Sequence, residues 1–259
     1  MRRPVAHAFV YDLARPVLPD QDVHHFSRAL RLREGEVVSV SDGRGGSRLC
    51  EWLGGPLGPL NEPTWEPPPL PAITVCFALT KGERPEWVVQ KLTEAGADRV
   101  VVMVTDRCVS RWAPGSEGRH LERLREVARQ AAMQSRRLWM PTVEGPLAFS
   151  ALVAGERKLD GGGVALAVPG GGPISLSTPT VLVGPEGGWT GAELATVPPA
   201  HHVGLGPNVL RAETAALACG LLLVAMRSGL ALPAKPSVPT GPPAPTQPTG
   251  PPHPPREEL

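Results

Sequence analysis

Short apolar runs and their spacing divide the chain into two textures. Up to about Leu70 the runs are brief. Ala8–Tyr11 reads as a strand, Asp22–Leu30 as a short helix, Glu36–Val40 as a strand, and Ser47–Leu53 as a returning strand behind the turn SDGRGG. Short strands separated by Gly/Asp turns predict a small β-rich barrel or sandwich. The stretch GGPLGPLNEPTWEPPPLP is a poor sheet former, because proline donates no ladder hydrogen bond, and it marks the end of this unit.

From Pro71 the pattern changes. Ile73–Leu79 is strand-like, and Glu83–Gly96 places Trp87, Val88, Lys91, Leu92 and Ala95 at helical spacing. Val100–Val104 is a continuous apolar, mainly β-branched run, as expected of a strand buried on both faces. Glu117–Gln134 predicts a second long helix. Val164–Val168, Val181–Val183 and Val203–Leu205 predict further strands, and Arg211–Arg227 a closing helix. Strands alternating with helices imply an α/β fold with a mostly parallel sheet flanked by helices. After Leu232 the apolar periodicity ends in a Pro-rich stretch. The expected organisation is therefore 1–70, a β-rich domain; 71–232, an α/β domain; and 233–259, a disordered or polyproline II tail.

Composition narrows the class. The chain has 259 residues, net charge +1 and only 4% aromatics, so neither a global positive field nor an aromatic stacking surface advertises nucleic acid. Its four cysteines (Cys50, Cys76, Cys108, Cys219) form no CxxC pair, which leaves zinc and a disulfide framework unsupported and suggests a reducing, cytoplasmic setting. The N-terminus lacks the apolar core of a signal peptide, and Ala215–Met226 falls short of the roughly 20 residues of a membrane helix. A soluble protein with no metal is expected.

The candidate chemistry concentrates in Val181–Thr214, which reads VLVGPEGGWTGAEL and, after a spacer, VGLGPNVLRAET. Each half is a strand released into a Gly/Pro loop and then a helix, the setting in which α/β proteins bind ligands. Neither GxxxxGK[ST] nor a strand–GxGxxG–helix unit is present, which argues against a P-loop or an NAD-binding Rossmann site. Glu186 would repel phosphate and suits a ligand carrying hydroxyl, amine or cationic groups. Thr190 with Glu193 is a capping box for the helix that follows. Asn208 is a suitable N-cap for the last helix, and Arg211 in its first turn opposes the helix dipole. A plain surface ion pair is the other reading of Arg211.

GPEGG followed at this distance by LGxxVLRxETA resembles the SPOUT methyltransferases, and among them the RsmE family of 16S ribosomal RNA (uracil-N3)-methyltransferases. KGERPEWVVQKLTEAG at 81–96, DRC at 106–108, QSRR with Pro141, and HHFSRALRLREG at 24–35 match in the same order, so the resemblance spans about Val5 to Leu232. Three positions depart from the family pattern: Asn208 stands for arginine, Met133 for glutamate and Ala95 for leucine. The resemblance implies a PUA-like β-barrel at 1–70, a trefoil-knotted SPOUT domain at 71–232, S-adenosyl-L-methionine as cofactor, a homodimer, and 16S rRNA or the small ribosomal subunit as partner.

On that footing Leu182, Gly184, Pro185, Glu186, Gly187, Gly188, Leu205, Gly206, Val209, Leu210, Arg211 and Thr214 are the expected cofactor-binding residues. Arg211, Glu213 and Arg107 are the expected catalytic ones. Between Asp106 and Arg137 eight arginines face four acids, a local footprint for phosphate. An ordinary solvated helix face is the alternative reading. Arg28, Arg31, Arg33, Lys81, Arg107, Gln134 and Arg137 are the expected RNA-binding residues. Two other functions stay open: a SPOUT enzyme acting on another rRNA or tRNA position, and a non-catalytic RNA-binding assembly factor.

Overall fold

The computed structural model describes residues 3–80, 82, 84–156 and 163–231. Lys81 and the Pro-rich 233–259 segment, to which the sequence assigned an RNA contact and a tail, lie outside the described residues.

The first sheet holds β1 (Ala6–Phe9), β2 (Val37–Ser41), β3 (Gly46–Trp52), β4 (Leu57–Pro59) and β5 (Thr64–Trp65), in the order β1-β2-β3-β4 with β5 also on β3. β1 runs parallel to β2, and the remaining pairs are antiparallel. Two of these strands come from the stretch dismissed as a poor sheet former. They are very short and pair only with β3, which is where proline-rich backbone is tolerated. α1 (Asp20–His24) runs on into a π-helical turn at His25–Ala29, which inserts Phe26 edge-on against Trp52 at 5.6 Å in a core with Ala8, Val38, Val40 and Cys50.

The second sheet has six strands: β6 (Thr74–Ala78), β7 (Arg99–Val104), β8 (Thr142–Ala148), β9 (Val164–Gly172), β10 (Thr180–Val183) and β11 (His202–Val203). All are parallel, in the order β11-β9-β10-β6-β7-β8. Alternation sorts their side chains onto two cores. Val75, Phe77, Val100, Val102, Val181 and Val183 face one layer, built on α2 (Arg84–Ala95), α3 (Glu117–Gln134) and α6 (Ala212–Arg227). Cys76, Val101, Met103, Leu166 and Leu182 face the other, with α4 (Phe149–Glu156) beneath them. Small residues of α6 let it pack closely on α2. A Cβ on Gly220 would lie 2.5 Å from Leu92 Cδ2 on α2.

One strand was not legible in the pattern, and one helix start was placed a residue early. β8 carries Gly145-Pro146 at its centre, an interruption that reads as a loop; it sits at the sheet edge, where its register against β7 shifts between Val101 and Met103. The closing helix was expected from Arg211 with Asn208 as its cap. It begins at Ala212, with Arg211 itself as N-cap at φ −65, ψ 154, because Gly206 (φ +136) and Pro207 hold the preceding segment out of helical conformation.

The two sheets are joined by backbone. Gly45 N donates to Leu138 O (3.1 Å) and Met140 N to Gly43 O (3.0 Å). Gly45 (φ +92) lies so close to Trp139 that a Cβ would fall 2.6 Å from its ring, so only glycine permits this approach. Arg129 of α3 also pairs with the buried Asp22 of α1, and Met133 packs against the core of the first sheet. The apolar departure at Met133 therefore has a structural role at this junction.

Candidate functional site: a crevice at the carboxyl edge of the parallel sheet

β6 and β10 lie side by side, yet the chain leaves β6 toward β7 and leaves β10 for β11, beyond β9. At such a reversal the outgoing loops diverge and open a crevice at the carboxyl ends of the strands. Both glycine loops singled out in the sequence open from this edge.

The first runs from Gly184 to Trp189. Gly188 N donates to Pro185 O (2.8 Å), and Gly188 adopts φ +68, so the loop turns sharply. Trp189 anchors its end: the indole Nε1 donates to Ala167 O of β9 (3.0 Å), and the ring lies 5.4 Å from Phe149. Thr190 and Glu193 form the expected capping box on α5 (Gly191–Thr196). The buried Glu193 also accepts from Asp106 N (3.0 Å), and Arg107 Nη1 donates to Gly187 O (2.9 Å). The loop after β7 is thereby clamped to the loop after β10, with Arg107 at the contact.

Arg84, in the first turn of α2, joins the two glycine segments. Its Nη1 is 3.0 Å from Glu186 Oε1, and its Nε is 3.8 Å from Glu213 Oε1 at the start of α6. Glu213 Oε2 is buried and has no hydrogen-bond partner. Arg84 was missed in the sequence although the signal that singled out Arg211, a cation at a helix N-terminus, applies equally to it. Arg211 is exposed and makes no ion pair with a described residue. Asn208, Gly206, Val209 and Thr214 are exposed around it, Leu205 and Leu210 pack on the core, and Leu182 is buried within β10.

The expected RNA-binding residues scatter more widely. Arg28 and Gln134 both line a groove of about 1280 Å³ between the π-helical turn and helices α2 and α3. Arg31 and Arg33 are exposed outside its lining. Arg137 is placed otherwise than expected. Its guanidinium is enclosed, donating to Thr93 O (3.1 Å), Trp139 O (3.1 Å) and Ala97 O, with Asp98 at 3.3 Å. Burial pulls it below the usual arginine value, and Asp98 opposes that. Three carbonyls and Asp98 engage its guanidinium from within the protein, so Arg137 ties the ends of α2 and α3 together.

The helical arginine surplus is also smaller than the count suggests. Arg123 pairs with Glu86, Arg125 with Glu122, and Arg129 with Asp22, while Arg111 binds backbone carbonyls.

A parallel sheet covered by helices on both faces, with a crevice walled by glycine loops and a small set of converging charges, defines a class: an α/β protein with a ligand crevice at the carboxyl edge of its sheet. Family comparison makes this specific. Residues 66–224 match the model of an RNA methyltransferase domain, and residues 18–51 that of an RNA methyltransferase PUA domain. Ribosomal RNA small subunit methyltransferase E of Mycobacterium bovis is 35% identical over 220 residues, covering 77% of this chain and 82% of that protein. The protein of the same name from Bacillus subtilis is 30% identical over 216 residues, covering 76% and 84%. A probable rRNA-methyltransferase of Porphyromonas gingivalis superposes with TM-score 0.71 at 24% identity, over 88% of this chain and all of that one. The Neisseria gonorrhoeae small subunit methyltransferase E, bound to S-adenosyl methionine, superposes with TM-score 0.70 at 24% identity, over 86% and 97%. The chain belongs to the RNA methyltransferase family that includes these small-subunit methyltransferase E proteins.

Proposed function

We propose that this protein is an S-adenosylmethionine-dependent methyltransferase that methylates N3 of a uridine in 16S ribosomal RNA, acting as a cytoplasmic homodimer. The observation that carries the reading is the Arg84–Glu186–Glu213 cluster, which draws both glycine loops onto one crevice at the strand-order reversal.

The residues fit the cofactor. Glu213 presents a buried carboxylate oxygen with no partner, and Glu186 places a second carboxylate in the loop, a donor set suited to a cationic ligand. Gly188 and Gly206 have open space where a side chain would be, so backbone can approach a bound molecule. Gly184, Pro185, Gly187, Gly188 and Leu182 from one loop, with Leu205, Gly206, Val209, Leu210 and Thr214 from the other, would hold it. When bound, S-adenosylmethionine supplies a methyl group already activated on sulfonium sulfur.

The chain has the remaining work of charge and proton. Methylation of N3 requires the imide proton to leave and the resulting negative charge on uracil to be stabilised. Arg211, exposed beside the loops, stabilises that charge, with Arg107 assisting from the adjoining loop. Glu213 or Glu186 takes the proton; Arg84 lies against both, at 3.8 and 3.0 Å, and Glu213 keeps one buried oxygen unsatisfied. Arg28 and Gln134 in the interdomain groove, with Arg31 and Arg33 nearby in sequence, hold the RNA. The exposed apolar side chains of Val209 and Leu221, beside or on α6, form part of the dimer contact.

Two measurements test this. Calorimetric titration should show stoichiometric binding of S-adenosylmethionine. Nucleoside mass spectrometry of 16S rRNA from a deletion strain should show loss of 3-methyluridine, restored by the wild-type gene; normal 3-methyluridine in the deletion strain would refute the assignment.

A further inference from the structure

The groove of about 1280 Å³ between the domains is walled by α2 and α3 on one side and by β1 and the π-helical turn on the other. Each acid in its lining is engaged by a cation. Asp22 and, at 3.7 Å, Glu126 meet Arg129, Glu86 meets Arg123, and Glu94 meets Lys91. Arg28 and Arg136 also line the groove, both exposed, and neither makes an ion pair with a described residue. Two positive charges of the lining are thus left without an acid.

Arg136 occupies a position that suits glycine. Its N–H donates to Met133 O (3.1 Å) and that of Arg137 to Ala132 O (2.9 Å), which closes the end of α3, and Arg136 adopts φ +58. A helix that ends this way favours glycine at this residue, because a Cβ is penalised there. The helix dipole favours a cation anywhere in the last turn and does not require the left-handed residue to carry it. The two adjacent arginines divide: Arg137 turns into the protein, while Arg136 stays at the groove, where its charge bears on the buried His7. On α2, Trp87 and Gln90 share a face one turn apart. Helical spacing groups Trp87 with Val88 and Leu92, yet it is 40% exposed and lines the groove. Gln90 and, on α3, Gln134 line it too, and their amides make no hydrogen bond with a described residue.

We propose that Trp87, Gln90 and Arg136 make this groove a subsite for an unpaired nucleotide of the substrate RNA other than the target uridine, which enters the crevice. The assignment rests on the methyltransferase reading above and deepens it. Arg136 and Arg28 contact phosphates, the Trp87 indole stacks on a base, and the amides of Gln90 and Gln134 each offer a donor and an acceptor to its edge. Single-stranded RNA supplies both things the groove lacks: negative charge for two unpaired guanidinium groups and a flat apolar surface for an exposed indole. An acidic protein segment would answer the charges alone. Stacking accepts any base, so preference at this nucleotide comes from the two amides.

The test uses the full-length protein, S-adenosylmethionine, and 16S rRNA or small subunits from a strain lacking the enzyme. Arg136→Gly puts the favoured residue at the left-handed position, so Tm should hold or rise. RNA affinity should nevertheless fall severalfold, with a salt dependence shallower by about one counterion. Arg136→Lys should keep most of both. Trp87→Ala should raise KM for RNA about tenfold, the scale of one stacked base, with the salt slope unchanged. Trp87→Phe should recover most of that loss. The S-adenosylmethionine Kd should be unchanged in all four variants. Wild-type RNA affinity in either Arg136→Gly or Trp87→Ala would overturn the subsite, in favour of an acidic protein partner, and so would loss of donor binding in step with RNA binding. Failure of the wild-type protein to bind the donor would instead overturn the methyltransferase reading.

Discussion

Arg84 Nη1 lies 3.0 Å from Glu186 Oε1, joining the first turn of α2 to the centre of the GPEGG loop. Both side chains are more than two-fifths exposed, so the pair adds little to stability. Its consequence is placement: the Glu186 carboxylate is held at the crevice. Glu186→Gln should weaken binding of the sulfonium cofactor several-fold, yet weaken binding of its uncharged-sulfur product, S-adenosylhomocysteine, less. Calorimetry with both ligands checks this, and equal losses would show that Glu186 does not sense the sulfonium charge.

Arg211 caps α6 without an ion pair to any described residue, so its charge is available at the crevice. Arg211→Ala should reduce kcat at least a hundredfold, the scale of losing a charge-stabilising group. Cofactor Kd should change by less than about threefold, since no more than one weak contact is lost. A cofactor affinity that falls in parallel with kcat would make Arg211 a cofactor ligand.

Arg28 lines the interdomain groove, and Arg31 follows it on the exposed loop. Arg28→Glu with Arg31→Glu should weaken RNA binding and make the dependence of log K on log salt shallower by about two counterions. Filter binding across a salt series measures the slope. An unchanged slope would remove the first domain from the RNA contact.

His7 is buried beside Ser39 Oγ (2.8 Å), and its pKa is lowered from 6.5 to about 4, chiefly by burial, with the Arg137 backbone opposing and the Arg136 charge adding. The unfolded chain therefore binds a proton that the folded chain rejects. Stability is fully present above pH 6.5 and falls as pH drops from 6.5 toward 4, by ~3 kcal/mol over the window. His7→Gln should flatten that part of the pH–stability curve in urea denaturation. A slope identical to wild type would show that other groups carry the acid sensitivity.

Gly220 and Leu92 set the α2–α6 distance. Gly220→Val should destabilise the fold by ~1–3 kcal/mol through overpacking. Adding Leu92→Ala should recover part of the loss, as thermal denaturation of the double variant would reveal. Full additivity of the two would mean that the helices do not meet there.

The local pattern determined most of the architecture. Runs such as Val100–Val104 and the periodicity of Glu117–Gln134 specify strand and helix because a strand buried on two faces and a helix buried on one leave different spacings. The Thr190–Glu193 cap is likewise a short-range hydrogen-bond pattern, and the two glycine loops are written in consecutive residues. The order of motifs carried the family. Tertiary structure decided what depends on distant partners. β8 forms in spite of Gly145-Pro146 because an edge strand needs only one neighbour. Arg137, a cation between polar residues in the sequence, is enclosed by carbonyls some forty residues away. Arg84 acquires its significance only when Glu186 and Glu213 are folded onto it. Spacing along the chain records which way a residue faces; which charge it meets there is set by packing between elements.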